Sequence, residues 1–377
     1  MIPLFWKLVL QDKNMTQKPR RLHVTLKDVA AHIGVSHTTV SNAFSRPEKL
    51  SSDLRQKIFK TARELGYSGP DPAAQQLRKG QIGAVGLVLS HDLHYAVSDP
   101  AGLAVLRGVT KAYQSHPTNL LLIASHDKEA EGPCAAIPSH AAVDSMILYS
   151  LATNSHTVER ASRRGIPLVT IDQPRISGAG FVGVDPTSGI NAAVQRMLQL
   201  GHRRFGILSL KLVPDRKTGF VSKERFAASQ YEMILTRLDA YRQAFLHAGF
   251  EPEECPIWEC GEAIEESALK GTMKLLQAPS KPTVIIALSD RLAIAAIKAV
   301  QAIGLSVPND ISIIGFDDIP EAEVHKLTTI RQPHEEKGQQ AVKILQKKNS
   351  CQEVILQSKY IERNTVGISS EKYSRNS

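Results

Sequence analysis

The pattern of apolar and polar positions changes near residue 81, and the part before it predicts short helices. Between residues 25 and 65 apolar side chains recur every three or four positions, the period of an amphipathic α-helix. Thr25 and Asp28 have capping-box spacing, Gly34 suits the end of the first helix, and Ser36 can cap the second. A third helix is predicted over residues 51–65. Helices joined by so short a turn cross steeply, as in a helix-turn-helix.

The second of these helices has a polar face. Val40, Ala43 and Phe44 are spaced to point into a small core. The opposite face then carries groups that donate and accept hydrogen bonds: His37, Thr38, Ser41 and Asn42. Such side chains read base edges in the major groove. The alternative is an ordinary helical hairpin whose polar face is only hydrated.

The charge distribution favours the first interpretation. Residues 1–80 hold 14 Lys and Arg against 6 Asp and Glu, a net charge of +8, whereas the rest of the chain carries +1. The excess positive charge therefore lies beside the helix pair, where it can meet phosphates and release counterions. The sequence predicts a DNA-binding head.

A short joint follows the head. Asp71 can cap a helix, Pro72 suits its first turn, and residues 73–79 are good helix formers, but so short a helix is not stable alone. This predicts a segment that orders on contact with DNA. Leu77 is its large apolar side chain, and two roles stand open for it: a wedge between base steps in the minor groove, or packing in a plain linker.

After residue 81 the pattern becomes short apolar runs that alternate with amphipathic helices, as in IGAVGLVLS, PLVTID and PTVIIALS. Continuous β-branched runs flanked by helices predict parallel strands covered on both faces. The predicted fold is α/β: an all-α head, then a body of two doubly wound halves. Ligands bind such sheets at the carboxyl ends of their strands, so two facing sheets enclose a cleft.

Polar residues stand at these strand ends: Asp172, Asp185, Ser289, Asp290, Asp317 and Asp318. Carboxylates in a cleft accept hydrogen bonds from hydroxyls or amines of a ligand. Each residue can instead be a helix cap or a turn residue. Asp185 before a proline and Asp290 before a helix fit caps better.

Composition and motifs narrow the function. The 377 residues are 42% apolar and 22% charged, and no run approaches the ~18 apolar residues of a membrane span. The apolar start MIPLFWKLVL is broken by Lys7 and lacks a cleavage pattern, so a cytoplasmic protein is expected. Translation from Met15 is an alternative, with residues 1–14 then a misassigned start or a disordered arm.

Four cysteines without a CxxC spacing and thirteen dispersed histidines predict reduced thiols and no metal site. No Gly-rich phosphate loop and no GxSxG motif is present, which argues against an enzyme. We therefore expect no cofactor and no catalytic residue.

From Val24 to about Val366 the chain resembles the LacI/GalR family of bacterial transcription regulators. The resemblance lies in an ordered set of motifs: VTLKDVAAHIGVSHTTVSNAF, LSSDLRQKIFKTARELGY, AAQQL, GHRRFGIL, PTVIIALSD, VPNDISIIGFDD and LTTIRQP. It implies a homodimer whose paired heads read a pseudo-palindromic operator, with hinge helices in the central minor groove. The DNA-binding positions that it implies are Thr25, Ser36, His37, Thr38, Thr39, Ser41, Asn42, Ala74 and Leu77.

The resemblance also implies a body like the periplasmic sugar-binding proteins, with crossovers near Gly180, Thr328 and Lys348. A sugar, nucleoside or related metabolite would then bind between the subdomains, at Tyr95, Asp172, Arg237, Ser289 and Asp317. The implied division is a disordered extension (1–22), a helix-turn-helix domain (23–70), a hinge helix (71–80) and an effector-binding and dimerisation body (81–377), with subdomains at about 81–181 and 329–348, and about 182–328 and 349–377.

Three departures from the family pattern matter. Asn42 stands where many members carry Arg, and an amide pairs best with adenine rather than guanine. Ser289 stands where sugar-binding members often have Asn, so its reach is shorter and a simple hexose is a poorer fit. Residues 211–230 form a longer, more basic loop than is typical: either a lid or a mobile surface insertion, and the insertion is the favoured interpretation.

The leading functional hypothesis is a regulator, expected to repress, whose operator affinity is set by a small molecule in the cleft. One alternative is a regulator whose cleft binds no ligand. Another is an extracytoplasmic solute-binding protein, which would need an export signal and no basic head. The sequence leaves open the identity of the effector and the operator, whether ligand releases or recruits DNA, and dimer against tetramer.

Overall fold

The computed structural model describes residues 24–69, 82–90, 94, 98–115, 118–125, 141–215, 217–250, 255–261, 264–347 and 351–369. The chain divides after Ile82 into two compact units, called here the head and the body, and each is described by itself. Ala74, Leu77 and Tyr95, three residues of the predicted sites, lie outside the described residues. Within the described part, no helix has the length and hydropathy needed to cross a membrane.

The head contains the three predicted helices: α1 (Leu26–Ile33), α2 (His37–Ser45) and α3 (Ser52–Leu65), with one 3₁₀ turn at Pro47–Lys49. The backbone N–H and the hydroxyl of Thr25 both donate to Asp28 at 2.7 Å, and Gly34 has the left-handed φ of 78° that ends α1. Val29, Val40 and Ile58, one from each helix, are fully buried in its core.

The body alternates strands and helices as predicted. Its elements are β1 (Ala84–Leu89), α4 (Pro100–Ala112), β2 (Asn119–Ala124), β3 (Ser145–Tyr149), α5 (His156–Ser162), β4 (Leu168–Ile171), β5 (Gly180–Asp185), α6 (Thr187–Gln199), β6 (Phe205–Ser209), β7 (Gly219–Phe220), α7 (Lys223–Ala227), α8 (Glu232–His247), β8 (Ile257–Glu259), α9 (Ile264–Leu276), β9 (Val284–Ala287), α10 (Asp290–Ala302), β10 (Ser312–Ile314), α11 (Pro320–Val324), β11 (Thr329–Arg331), α12 (His334–Leu345), β12 (Glu353–Gln357) and β13 (Lys359–Ile361).

Two sheets form the frame of the body. The first is parallel throughout, in the order β12-β5-β4-β3-β1-β2. The second has the order β10-β9-β6-β8-β7, and only its short edge strand β7 runs antiparallel to its neighbour. A separate antiparallel pair joins β11 to β13. In each large sheet the strand order reverses beside the first strand of its half, which is where α/β folds bind ligands.

The subdomain boundaries differ from the expected ones. The sequence placed residues 182–185 and 353–357 in the second subdomain, whereas β5 and β12 pair with each other in the first sheet, Val182 opposite Val354. Residues 329–331, expected in the first subdomain, pair instead with β13 outside both large sheets. The crossovers that follow β5 and β12 therefore come later than predicted. Both strands pair at one end of the first sheet, and hydrophobic periodicity does not reveal such pairing.

The segment from Lys211 to Gln230, interpreted from the sequence as a mobile surface insertion, contains regular secondary structure within the second subdomain, and its described residues other than Leu212 are exposed or half-exposed. It contains β7, which extends the second sheet beside β8, and the short helix α7. Arg225 of α7 makes paired hydrogen bonds to Asp215 and Glu259, at 2.7–2.8 Å. These charge-assisted contacts anchor the segment.

Helices α4 and α12 cross with their backbones in contact on the first sheet. Each contributes a glycine at the crossing. A Cβ atom added at Gly108 would overlap the carbonyl group of Glu335, and one added at Gly338 would overlap the carbonyl oxygen of Val105. Only glycine permits this approach, which places the start of α12 beside the first-subdomain side of the cleft.

Candidate nucleic-acid interface and ligand cleft

The first candidate site is the outer face of α2. Ser36 caps this helix by accepting a hydrogen bond from the Thr39 backbone N–H at 3.1 Å, and the two hydroxyls lie 2.9 Å apart. His37 and Thr38 are exposed in the first turn, and Ser41 and Asn42 are half-exposed one turn later. Because Val40 and Ala43 fill the core on the other side, the polar side chains are presented together.

The head also carries exposed cations. In the described part of the head they are Lys27, Arg46, Lys49, Arg55, Lys57, Lys60 and Arg63. The carboxylate of Asp28 is occupied by Thr25, whose two hydrogen bonds lower the pKa of that side chain. Helix ends, hydroxyls and cations of this kind bind phosphate oxygens, whereas the side chains on α2 can reach base edges.

The second candidate site is a cavity of about 150 Å³ in the body. It lies at the carboxyl ends of strands from both large sheets. Leu89, Tyr149 and Asp172 come from the ends of β1, β3 and β4, and Leu210, Ser289 and Asp317 follow β6, β9 and β10. The cavity is therefore the cleft predicted between two facing sheets.

The described residues that the sequence predicted for the effector all line this cavity: Asp172, Arg237, Ser289 and Asp317. The other strand-end carboxylates do not. Asp185 lies one residue before Pro186, the N-cap of α6, and accepts a hydrogen bond from the Thr187 N–H at 2.9 Å, so it is a turn residue at the start of that helix. Asp318 pairs with Arg331 and Arg363.

The sequence suggested that Asp290 caps α10, and this prediction is wrong. Ser289 caps that helix by accepting from the Leu292 N–H at 3.3 Å, while Asp290 is fully buried behind it. The Asp290 carboxylate accepts from the Ile319 N–H at 2.9 Å and the Thr329 hydroxyl at 2.5 Å. Burial, with the nearby charge of Asp317, raises the pKa of Asp290 well above its ordinary value.

Arg237 and Asp317 form the charged wall of the second subdomain. The Arg237 guanidinium lies 3.8 Å from the Asp317 carboxylate and 4.0 Å from the centre of the Phe316 ring, and it donates to the Leu288 carbonyl at 2.7 Å. Burial acts to raise the pKa of Asp317, but His334, 3.6 Å away, and Arg237 outweigh it, so that pKa is lowered. Contacts with Leu288 and Phe316 on one side and with His334 on the other therefore position the pair in the cleft.

Asp172 faces this wall from the first subdomain, and its partner is a buried lysine. The Lys337 ammonium, 0% exposed, lies 2.8 Å from one Asp172 oxygen and 2.9 Å from the other. Burial lowers the pKa of Lys337, and the charge of Asp172 opposes that shift. The side-chain amide of Gln332 accepts a hydrogen bond from Lys337 at 2.9 Å and donates one to Asp317 at 2.6 Å. It therefore links the Asp172–Lys337 pair to Asp317.

Both cleft carboxylates also stand on unusual backbone. Asp172 has φ 66° and Asp317 has φ 120°, values that non-glycine residues seldom adopt. Backbone of this kind is kept where the surrounding structure determines it, commonly at binding sites. The observation agrees with the position of both residues in the cleft.

Sequence reasoning missed several lining residues: Asp99, Tyr149, Lys211, Tyr231, Arg291, Gln332 and His334. Burial raises the pKa of Asp99, and burial together with the charges of Asp99 and Asp172 raises the pKa of Tyr149 well above its ordinary value. His334 is 7% exposed, and its Nδ1 has no hydrogen-bond partner among the described residues.

One signal could have revealed Lys337, which also escaped prediction. It lies four and five residues before Ala341 and Val342 on the apolar face of α12, where a lysine needs an anion. The cleft also lacks the chemistry of a metal centre: across the part of the chain that the structure describes, no group of three or more His, Cys, Asp or Glu side chains could hold an ion.

A helix-turn-helix head with a basic surround, joined to a two-sheet body with a charged cleft, defines a DNA-binding regulator with a ligand-binding domain. Residues 25–69 match the model of bacterial regulatory proteins of the lacI family, and residues 194–366 match the periplasmic binding protein-like domain. The chain belongs to the LacI family of bacterial transcriptional regulators, as its sequence motifs predicted.

Three known proteins illustrate the similarity. The HTH-type transcriptional regulator IpsA of Corynebacterium glutamicum is 36% identical over 349 residues, 91% of this chain and 97% of its own. A crystal structure of a LacI-family regulator from the same species is 33% identical, with a TM-score of 0.68 over 90% of this chain and 98% of its own. The lac repressor dimer bound to operator and the anti-inducer ONPF, 22% identical, shares the fold with a TM-score of 0.73, over 91% and 99% of the two chains.

Proposed function

We propose that this protein is a homodimeric repressor whose affinity for a pseudo-palindromic operator is set by a small molecule in the body cleft. The observation that carries the proposal is the cavity itself, in which charged side chains from two facing sheets meet in a chain of the LacI family. In this proposal the head binds DNA, the hinge contacts the minor groove and the two-subdomain body binds the effector. The chain crosses between subdomains after β5 and after β12, as the pairing of these strands requires. The protein then acts on chromosomal DNA in the bacterial cytoplasm.

On the DNA side, His37, Thr38 and Asn42 read bases in the major groove and Ser41 lies on the same face of α2, while Thr25, Ser36 and Thr39, at the starts of the two helices, lie near phosphates. The exposed face of α2 supports this assignment. Ala74 and Leu77 enter the central minor groove in the proposed complex. The lac repressor binds its operator as a dimer, and the same assembly of this chain supplies the two-fold symmetry that a pseudo-palindrome requires.

On the ligand side, the pairing of the charges favours an uncharged effector with several hydroxyl groups. Asp172 is paired with Lys337 and Asp317 with Arg237, so a charged ligand that binds at either of these carboxylates would have to compete with an existing ion pair. Paired carboxylates still accept hydrogen bonds from hydroxyls, and Arg237 and the Tyr149 hydroxyl can bond to ligand oxygens. A cyclic polyol, sugar or nucleoside has this chemistry.

The cleft controls DNA binding only if the effector prefers one arrangement of the two subdomains. A ligand that contacts Asp172 on one side and Asp317 on the other senses their separation, because both contacts exist only when the cleft has the right width. The preferred width then changes the geometry of the dimer and the ordering of the hinge. The coupling is reciprocal, so operator must change effector affinity by the same factor.

The DNA half is tested by selecting duplexes from a random library at fixed salt. Wild type should enrich a pseudo-palindrome, and Asn42→Arg should change one half-site base from adenine to guanine, with discrimination of about 1–3 kcal/mol. Gln56→Ala, at an exposed position of α3, is the matched control and should leave the selected sequence unchanged. Absence of enrichment over random duplexes would refute sequence-specific binding.

The ligand half is tested by thermal denaturation of the full chain with D-ribose, D-glucose, cellobiose, a cyclitol, adenosine and cytidine, and with glucuronate and glucose 6-phosphate as charged counterparts. A neutral compound at 100 times its dissociation constant should stabilise the protein by about 2.7 kcal/mol and alter operator affinity. Arg237→Met should abolish the effect. Stabilisation by the anions alone would contradict the proposed class, and no response from any compound would favour a regulator with an unused cleft.

A further inference from the structure

The segment 211–230 meets the cleft both where it begins and where it ends. Lys211, its first residue, and Tyr231, the residue that follows it, both line the cavity, and the Lys211 ammonium lies 5.7 Å from the centre of the Tyr231 ring. What holds this segment in place therefore also sets the position of two cleft side chains. The contacts inside the segment involve residues that do not line the cavity, so the proposed ligand contacts do not explain them.

The segment is held by an ion cluster built on a buried carboxylate. Glu259, at the end of β8, is 2% exposed. One of its oxygens accepts from the Leu212 N–H at 2.6 Å and from Arg225 at 2.8 Å, and the other accepts from Arg225 at 2.7 Å. Arg225 also holds Asp215 through two bonds of 2.7 and 2.8 Å. A single guanidinium thus fixes both limbs of the segment to the second sheet.

The hydrogen bonds continue from this cluster to the first subdomain. The Leu212 carbonyl accepts from the Gln230 N–H at 2.8 Å, and the Gln230 carbonyl accepts from the Thr153 N–H at 3.0 Å. Thr153 follows β3, a strand of the first sheet. The path from Arg225 through Glu259, Leu212 and Gln230 therefore ends on the opposite side of the cleft.

A second link lies beside the first. Gln173, fully buried after β4, donates to the Leu151 carbonyl at 3.0 Å and accepts from the Met233 N–H at 3.0 Å. Met233 lines the cavity, and Gln173 is the neighbour of Asp172. The two links bring residues 230–233 of the second subdomain against the loop 151–153 of the first. Together they form a polar tie along one rim of the cleft.

We propose that the Asp215–Arg225–Glu259 cluster is a positioning element for the effector site. It folds segment 211–230 so that Lys211 and Tyr231 form one wall of the cavity and Gln230 is tied to Thr153 across the cleft. Arg225 acts through these residues and does not touch the ligand. This inference rests on the proposed function for its effect on effector affinity, whereas the tie itself can be tested without any ligand.

The experiment is amide hydrogen exchange of the full chain without ligand. Arg225→Met alone leaves Glu259 as a buried unpaired carboxylate, so it is combined with Glu259→Gln, whose side-chain oxygen can still accept from the Leu212 N–H. We expect the double variant to exchange about tenfold faster at the Thr153 and Met233 amides, since local opening governs exchange, with unchanged protection in β9. Arg225→Lys, which can pair with only part of the cluster, should recover part of the protection.

Two controls separate the tie from general destabilisation. Glu259→Gln alone keeps the Leu212 contact and should show less than the full effect, and Arg242→Met removes an equal charge from an exposed position of α8 and should show none. Unchanged exchange at Thr153 in the double variant would overturn the proposal, as would equal acceleration in β9. If D-ribose, cellobiose or the cyclitol stabilises wild type, its affinity should fall about tenfold in the double variant and partly return with Arg225→Lys. If none of the panel binds wild type, the proposed effector class fails while the exchange data still decide the tie.

Discussion

Gly338→Ala should destabilise the body by about 2–3 kcal/mol and lower its melting temperature by several degrees, although alanine favours helix formation. The added Cβ would overlap the Val105 carbonyl oxygen of α4. This oxygen belongs to the backbone, so a change of side-chain rotamer cannot relieve the overlap. The helices must separate, and buried contacts on both sides of the crossing are lost. The intrinsic preference of a helix for Ala over Gly, about 1 kcal/mol, opposes this effect but is smaller.

Thermal denaturation checks this expectation, with Gln340→Ala on the same helix as the matched control. Gln340 is half-exposed and lies two residues away, so its replacement should change stability by less than about 0.5 kcal/mol. Gly108→Ala, on the other helix of the crossing, should behave like Gly338→Ala. An unchanged melting temperature in both glycine variants would show that this close approach is not needed.

Lys337→Met should cost about 3–5 kcal/mol, because it leaves the Asp172 carboxylate without its buried cation. The Asp172 side chain is 5% exposed, so water replaces the lost partner poorly. Most of the lost stability comes from the Asp172 carboxylate, which would be buried without a cation. Adding Asp172→Asn should therefore restore much of the stability, since asparagine has nearly the same shape, carries no charge and tolerates the positive φ at this position.

Urea unfolding of wild type, both single variants and the double variant gives the coupling energy between these two residues. We expect a coupling of at least about 1.5 kcal/mol, and strictly additive effects would contradict a direct ion pair. Binding of any compound that stabilises wild type supplies a separate readout. It should remain weak in the double variant even where stability returns, because Asp172 lines the cavity and its carboxylate is one of the proposed ligand contacts.

The sequence was most informative where the physical cause is local. The capping of α1 by Thr25, its end at Gly34 and the start of α2 at Ser36 depend on neighbouring residues, and all three were predicted from spacing. The same holds for the third helix of the head, which was predicted over residues 51–65 and is observed at Ser52–Leu65. In both cases the controlling interactions span at most a few residues.

The cleft was predictable only in part. Asp172, Ser289 and Asp317 were found because parallel strands end at one edge of a sheet, so a polar residue after an apolar run is a candidate without further information. The same rule also selected Asp290, which is buried, and Asp318, which pairs with two arginines. Strand-end position does not tell which way a side chain points or which partner it meets.

The sequence alone determined the family, the helix-turn-helix and the alternating α/β body, because helix caps, periodicity and ordered motifs are properties of contiguous residues. Tertiary structure decided which strands close the first sheet, that segment 211–230 is folded, and that Lys337 lies buried against Asp172. Those outcomes join residues far apart in the chain, Asp172 and Lys337 among them. The free energy of a buried charge depends on which partners the fold places beside it, and a local sequence pattern does not identify partners that are distant in the chain.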